Sequence, residues 1–550
     1  MISGFWRVSS WLLAGLLLLP LATVFVQAFF MTGILSDPQW AVASDVENFS
    51  RKLLAEGRAF TQLWRSGLPV YLLNSAVLVT GTVLLSLLIG LPAAWLMAMY
   101  RFPGQRILGW ALCLPLAMPA FLLAYLYADI AAPLQTLIGL SGSVAVPCGA
   151  CVVLALALYP YIYLLVRHAL AKQPASLIHS ARMLKLSHAQ VIKRVCLPIA
   201  RPAMVTGAIL VAVEAFGDYG AASYLALPTL TTAVLDIWQQ QGDLGAAARI
   251  AVIILPFIFL LMYLAHVWRR KNQIYQARLQ AEPLVPPRLR GWRSGLAQFY
   301  CWSLVCLAFI FPLLRLAWGA MGQVMPGWDQ VFLLAIGNSV LISTVATALI
   351  TLMAISFVFY TRTVGPSANQ LPMRLIGLSL AIPGAVLAVG WFIPLVWIGH
   401  GLGQLAQRMT LSGPEMWVSG SLFILMLVYS AKFARLMLDG LEYRMATIPL
   451  SLDRACLVLK CSARERWSRV HLPLLRRALL VGALLVFTES MKELNVSLLL
   501  RPLHLEMLAT YVFRLTSGEP ATSLALPALV LVLVGMVPVV GLIRVLNIKG

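Results

Sequence analysis

The sequence predicts an all-α polytopic membrane protein with about twelve transmembrane helices arranged as two parallel six-helix repeats. Three observations carry that prediction. Of the 550 residues, 61% are hydrophobic and only 11% are charged, with a mean hydropathy of +0.87, which lies outside the composition of a water-soluble globular domain. The apolar residues fall in stretches that match the roughly 20 residues of helix needed to cross a hydrocarbon core. Finally, a basic segment between two such stretches occurs twice. HSARMLKLSHAQVIKRVCLPIARPAMVTG runs from His179 to Gly207, and RACLVLKCSARERWSRVHLPLLRRALLVG from Arg454 to Gly482, 275 residues on with no gap.

The first expected span, 8–30, is longer than a signal-peptide core and has no small-x-small site before Phe29, so it counts as a helix. The next, 70–99, opens on Asn74-Ser75; 106–130 carries Pro119 within LPLAMPAFLLA; 144–169 begins beside Cys148 and Cys151. Those cysteines read as small packing residues, since the eight cysteines are scattered through apolar segments without a disulfide framework. Spans 200–225 and 250–268 complete the first half, residues 1–268. A polar, Pro-bearing basic linker, 269–297, leads to a second half, 298–550, with spans 298–319, 333–361, 374–399, 416–440, 476–500 and 523–546. Asn338-Ser339 and Pro383 repeat Asn74-Ser75 and Pro119 at an offset of 264, so the duplication extends beyond the basic segment. A proline within a span removes a backbone hydrogen bond and bends the helix, which suits a cavity that opens and closes, although membrane helices also tolerate proline without such a role.

Charge supplies the orientation. The net charge of +21 comes from 41 basic and 20 acidic residues, and the basic ones cluster in alternate connections. Positive-inside bias therefore places both termini, the linker and both repeated loops (172–203 and 444–478) in the cytoplasm. A basic patch sorted in this way belongs to a membrane surface and not to nucleic acid. No G-x-x-x-x-G-K-[ST] phosphate loop is present, and the histidines show no metal-ligand spacing. The chain therefore carries no ATP-hydrolysing site of that type and no catalytic constellation.

The repeated loop resembles the coupling loop of ABC importer permeases, whose pattern is Glu-Ala-Ala, a Gly four residues on, and a distal Leu-Pro. The matching positions are Ala181, Lys185, Leu197 and Pro198 in the first copy and Ala455, Lys460, Leu472 and Pro473 in the second. Both copies lack the Glu and carry Lys at the Gly position, where a left-handed turn costs a side chain roughly 1 kcal/mol. EAFGDYGAASYL from Glu214, MKELNVSLLLRPLHLEMLATYVF from Met491 and ALYPYIYLLVRHAL from Ala157 resemble fused two-half ferric-iron transport permeases over nearly the whole chain. The resemblance implies a type I permease of the bacterial inner membrane, with Mg-ATP on a separate homodimeric ATPase docked on both coupling loops. It also implies a periplasmic or lipid-tethered solute-binding protein, and a cargo of ferric iron. Fused permeases for thiamine and phosphonate share the architecture. An ion-coupled secondary transporter also has two parallel halves, but has no reason to keep coupling loops.

Continuing the repeat aligns Glu214 with Glu489 and Asp218 with Glu493, beside Tyr219 and Lys492. Ionisable side chains within a span are costly and usually face an interior or a water-filled path. These six residues form the candidate substrate pathway. Asp218, Glu489 and Glu493 are the candidate transient oxygen ligands for a hard trivalent cation. Glu489 and Lys492, three residues apart on one helix face, also suit a structural ion pair. Tyr159, Tyr161 and Tyr163 read as packing residues.

Overall fold

The computed structural model describes residues 18–28, 67–139, 141–171, 183–185, 187–276, 286–321, 328–364, 382–392, 422–462, 465–502, 505–518 and 521–547, with a few single positions beside them. Among them the regular structure is helical, apart from one parallel bridge between Arg101 and Arg288. Among the described residues eight helices are long and apolar enough to cross a membrane, and a ninth span arises if the bent pair Gln105–Ala117 and Ala120–Ile130 is counted as one. The protein is therefore a multi-pass helical membrane protein. Part of the expected span 8–30 and most of 374–399 lie outside the described residues.

The same triangle of helices is built twice. In the first, α1 (Leu68–Met99), α4 (Gly142–Ala171) and α5 (Leu197–Gly217) pack on one another. In the second, α11 (Gln330–Val364), α12 (Leu422–Ala446) and α14 (Leu472–Met491) do so. Helices α2 (Gln105–Ala111) and α3 (Ala120–Ile138) flank the first triangle. They are followed after α5 by α6 (Gly220–Tyr224), α7 (Leu230–Asp236) and α8 (Leu244–Gln276). Helices α9 (Trp292–Val305) and α10 (Phe311–Met321) precede the second triangle. Within and after it come α13 (Leu450–Val458), α15 (Asn495–Leu500), α16 (Leu508–Gly518) and α17 (Ala521–Asn547).

Residue-level contacts follow the repeat. Gly207 lies against Ile162, where an added Cβ would come within 3.2 Å of the Ile162 Cα. Gly482 lies against Met437, and each partner is again 275 positions on. In membranes, where lipid removes the hydrophobic drive between helices, such small residues allow the close approach that packing needs. The Asn-Ser pairs cap corresponding helices. Asn74 Nδ2 donates to Pro228 O at 3.0 Å and Asn338 Nδ2 to Glu506 O at 3.1 Å. Ser75 Oγ accepts from Leu230 N and Ser339 Oγ from Leu508 N, satisfying a free N–H at the start of α7 and of α16.

Three expected helices are broken. The span 106–130 bends by 92° around Pro119, which precedes α3 and accepts from the N–H groups of Leu122 and Leu123. The span 200–225 stops at Gly217, because Asp218 Oδ1 accepts from the N–H groups of Ala221 and Ala222 and starts a new helix. The span 476–500 stops at Met491, where Glu493 Oε1 does the same for Val496 N. A side-chain acceptor that starts a new turn competes with helix continuation.

Candidate functional site

The breaks at Asp218 and Glu493 open onto a cavity of about 130 Å³ bounded by α3, α4, α5, α12, α14 and the segments around Pro119 and Pro383. Both prolines lie at its wall, Pro119 at the bend. Glu214, Asp218, Glu489, Lys492 and Glu493 all line it, so five of the six pathway residues read from the sequence are brought together. Tyr219 is not among the lining residues; it is buried, with its ring 5.9 Å from that of Phe513.

The polar groups of the cavity are arranged in pairs. Lys492 Nζ lies 2.8 Å from Glu489 Oε1, the intrahelical pair its spacing suggested. Lys432 of α12 bonds Glu493. Tyr161 of α4 donates to Glu489 Oε1 at 3.0 Å, Lys492 Nζ to Leu116 O at 3.2 Å, and Asn495 Nδ2 to Gly217 O at 2.7 Å. Each of these last three bonds joins the first triangle's side of the cavity to the second's. Four carboxylates face two lysines, and neither lysine bridges Glu214 or Asp218. Asp218 spends an oxygen on its cap. Among the described residues no group of three or more His, Cys, Asp or Glu converges closely enough to hold a metal ion.

Lys432 and Tyr161 are the partners that sequence reading missed as site residues. Lys432 had a signal: it is a cation inside the apolar run LVYSAKFARLML of an expected span. Tyr161 had none, because a buried tyrosine in an apolar helix usually packs.

The repeated loops form a second candidate surface, and their described parts are built in the same way in both copies. Lys185 and Lys460 adopt the left-handed conformation at φ 56° and 52°. At the end of α13, Lys460 N bonds Leu457 O at 3.1 Å and Cys461 N bonds Cys456 O at 2.9 Å, the paired bonds that close a helix over a left-handed residue. A reciprocal capping box follows in each copy: Ser187 with Gln190, and Ser462 with Glu465. The two bonds from Ser462, backbone and hydroxyl, hold the Glu465 carboxyl below its ordinary pKa of 4.5. The next turn is a wide π-type turn in both copies, 192–196 and 466–471, directly ahead of Leu197-Pro198 and Leu472-Pro473. Proline's missing N–H breaks the regular ladder at the same place each time. The loop tips carry exposed apolar side chains: Met183 is 85% and Leu184 76% exposed, and Val458 is 81% and Leu459 75% exposed. Ala455 is exposed as well; Ala181 lies outside the described residues.

The family described as "Binding-protein-dependent transport system inner membrane component" matches residues 86–272. The chain is 25% identical over 491 residues to the Fe(3+)-transport system permease protein FbpB 2 of Haemophilus influenzae, covering 88% of this chain and 91% of that protein. It is 30% identical over 214 residues to the probable sulfate transport system permease protein cysT of Nephroselmis olivacea, 36% of this chain and 75% of the relative. The molybdenum transport system permease protein ModB of Escherichia coli is 28% identical over 184 residues, 31% of this chain and 80% of the relative. No solved structure matches. With these likenesses beside the twice-built helical triangle and loop, the chain belongs to the binding-protein-dependent transport system inner membrane components, the permease family of ABC importers.

Proposed function

We propose that this permease carries ferric iron, delivered from outside by a periplasmic or lipid-tethered binding protein, across the bacterial inner membrane. The observation that carries the cargo is the cavity's acid excess, four carboxylates against two lysines already engaged with two of them. A net-negative, oxygen-lined path suits a hard cation in passing and repels an oxyanion such as sulfate. End-to-end similarity to an Fe(3+) permease, against partial similarity to sulfate and molybdenum permeases, supports the same choice. Asp218, Glu489 and Glu493 make transient contact with the ion as cargo, and Glu214 adds charge at the same level. The pairs Lys432–Glu493 and Lys492–Glu489 neutralise two of the four carboxylates, so the empty path keeps the excess of Glu214 and Asp218.

In this reading the chain has twelve spans in two halves, 1–268 and 298–550, joined by the linker 269–297, with both termini cytoplasmic. A homodimeric ATPase holding Mg-ATP docks on the two loops through Ala181, Lys185, Leu197, Pro198, Ala455, Lys460, Leu472 and Pro473. Its closure shifts the bundle between inward and outward access, to the extent that nucleotide binds the two states differently. The bonds from Tyr161, Lys492 and Asn495 across the cavity break and re-form in that cycle.

The test is ATP hydrolysis by the permease and its ATPase in lipid vesicles, with binding protein supplied empty or loaded with ferric iron, thiamine, phosphonate or sulfate. Ferric-specific stimulation is expected, together with its loss on charge reversal at Lys185 and Lys460. Stimulation by another loaded form changes the cargo and keeps the class. A chain that binds no ATPase, and whose uptake collapses with a proton uncoupler, is an ion-coupled transporter instead.

A further inference from the structure

Beneath the second loop lies a cluster of charged groups that neither the cavity nor the docking tips use. Asp453, on α13, receives Arg362 Nε on Oδ2 at 2.8 Å and faces His471 Nε2 from Oδ1 at 2.9 Å. Arg362, at the end of α11, also donates to Ile448 O at 2.9 Å, Pro449 O at 3.3 Å and Met445 O at 3.4 Å, the carbonyls of the turn from α12 into α13. The cluster is shielded: the side chains of Arg362, Asp453 and His471 are 12%, 15% and 1% exposed. Phe359 and Trp467 stack edge to face beside it at 5.0 Å, with Trp467 6.2 Å from the imidazole. One guanidinium and one carboxylate thereby bind four elements: α11, the end of α12, α13 and the turn that leads into α14.

Sequence marks this cluster as a property of the second copy alone. The positions corresponding to Asp453 and His471 are Ile178 and Cys196, and the position corresponding to Arg362 at the 264 offset is Ala98. None of them is an acid, a base or an imidazole. The two loops share left-handed lysine, capping and π turn, yet only the second has a guanidinium, a carboxylate and an imidazole at these three positions.

We propose that Arg362, Asp453 and His471 act as a strut, making the second loop helix move as one body with α11, α12 and α14. Motion imposed on the loop by a docked ATPase then enters the bundle through the second half. The three are positioning residues, acting on the path through the helices they join. This inference rests on the docking reading of the loops. A paired, shielded guanidinium–carboxylate contact in fixed geometry resists sliding, because separating the charges leaves each without its partner in a poorly solvated place.

The experiment is amide hydrogen exchange on the full permease–ATPase complex in lipid, free and trapped with Mg-ATP and vanadate. Co-purification of the wild-type complex is checked first. In the wild type, trapping is expected to alter exchange in α13 and in α14. In Asp453→Asn, exchange in 450–458 is expected to rise about tenfold, and trapping then alters α13 but no longer α14, while the response of α5 persists. Arg362→Lys keeps the charge and loses the fork, and falls between the two. His471→Gln, which retains a hydrogen-bonding partner for Asp453, is expected to keep the α14 response. If Asp453→Asn folds poorly, these two variants decide the matter by their order. An α14 response that survives in Asp453→Asn and Arg362→Lys overturns the strut alone. A wild-type chain that does not bind the ATPase overturns the docking reading and the strut with it.

Discussion

The left-handed lysines are the clearest single-residue departure from local preference. Lys185 and Lys460 stand where a Cβ meets the following carbonyl, at a cost near 1 kcal/mol each. Replacing each by glycine relieves that contact and is offset in part by the entropy glycine loses on folding. Lys185→Gly and Lys460→Gly are therefore each expected to leave stability level or raise it by up to about 1 kcal/mol, read from thermal unfolding in detergent. A β-branched residue at the same place, as in Lys460→Val, is expected to lower it by at least as much. Two positions after each lysine, the capping boxes differ in one respect: the second uses Glu465 where the first uses Gln190. Because the Glu465 pKa is lowered in the fold, its contribution is complete above its ordinary 4.5 and is lost as pH falls through the lowered value. Acidification below 4.5 should expose the Ser462 amide to exchange, after correction for intrinsic rates, and leave Ser187 protected. Glu465→Gln should remove the difference; a Ser187 amide that opens in step with Ser462 would count against this account.

At the scale of elements, the two triangles hold together through close approach at Gly207 and Gly482, and the two contacts differ in what can yield. A methyl at Gly207 meets the Ile162 backbone at 3.2 Å, so the helices themselves must part. At Gly482 it meets the sulfur of Met437, the far part of a flexible side chain. Gly207→Ala is expected to cost about 1–3 kcal/mol and Gly482→Ala less than about 1 kcal/mol, compared by unfolding of the purified chain. Equal costs would show that the packing is looser than these contacts imply. The long helices were legible because twenty apolar residues leave few alternatives, and the repeated loop because a gapless match at an offset of 275 residues survives only if the backbone is repeated. The helix breaks at Asp218 and Lys492 were not legible. Hydropathy runs on through both, and what stops the helix is one carboxylate oxygen taking the N–H groups of the next turn. The 92° bend was half legible: Pro119 announced a disturbance, and its size is set by the tertiary seat of α3.

At the scale of the whole molecule, what matters is the charge held between the two triangles. The cavity was legible as far as its carboxylates, which the repeat alignment paired; Lys432 was legible only as a cation within a span, and not its partner, which lies 61 positions away on another helix. That pairing separates the carboxylates into two kinds. Neutralising Glu493 strands Lys432 in the bundle, and neutralising Glu489 strands Lys492 and leaves the Tyr161 hydroxyl with a weaker acceptor. Breaking a buried pair from one side costs about 3–5 kcal/mol, so Glu493→Gln is expected to reduce the amount of folded protein recovered before any transport is measured. The double variant Lys432→Met with Glu493→Gln removes both charges and should recover most of that loss. Glu214 is different: neither lysine bridges it, so Glu214→Gln removes a negative charge and leaves no cation unpaired. If the net charge of the path draws a cation through, Glu214→Gln should melt within about 0.5 kcal/mol of the wild type, as a substitution outside the named destabilising mechanisms does. Its uptake of radioactive ferric iron should nevertheless fall by about tenfold, the effect of some 1.4 kcal/mol on the barrier. Normal uptake by a stable Glu214→Gln would mean that the acid excess serves the fold and not the cargo. Uptake lost only in the variants that unfold would say the same.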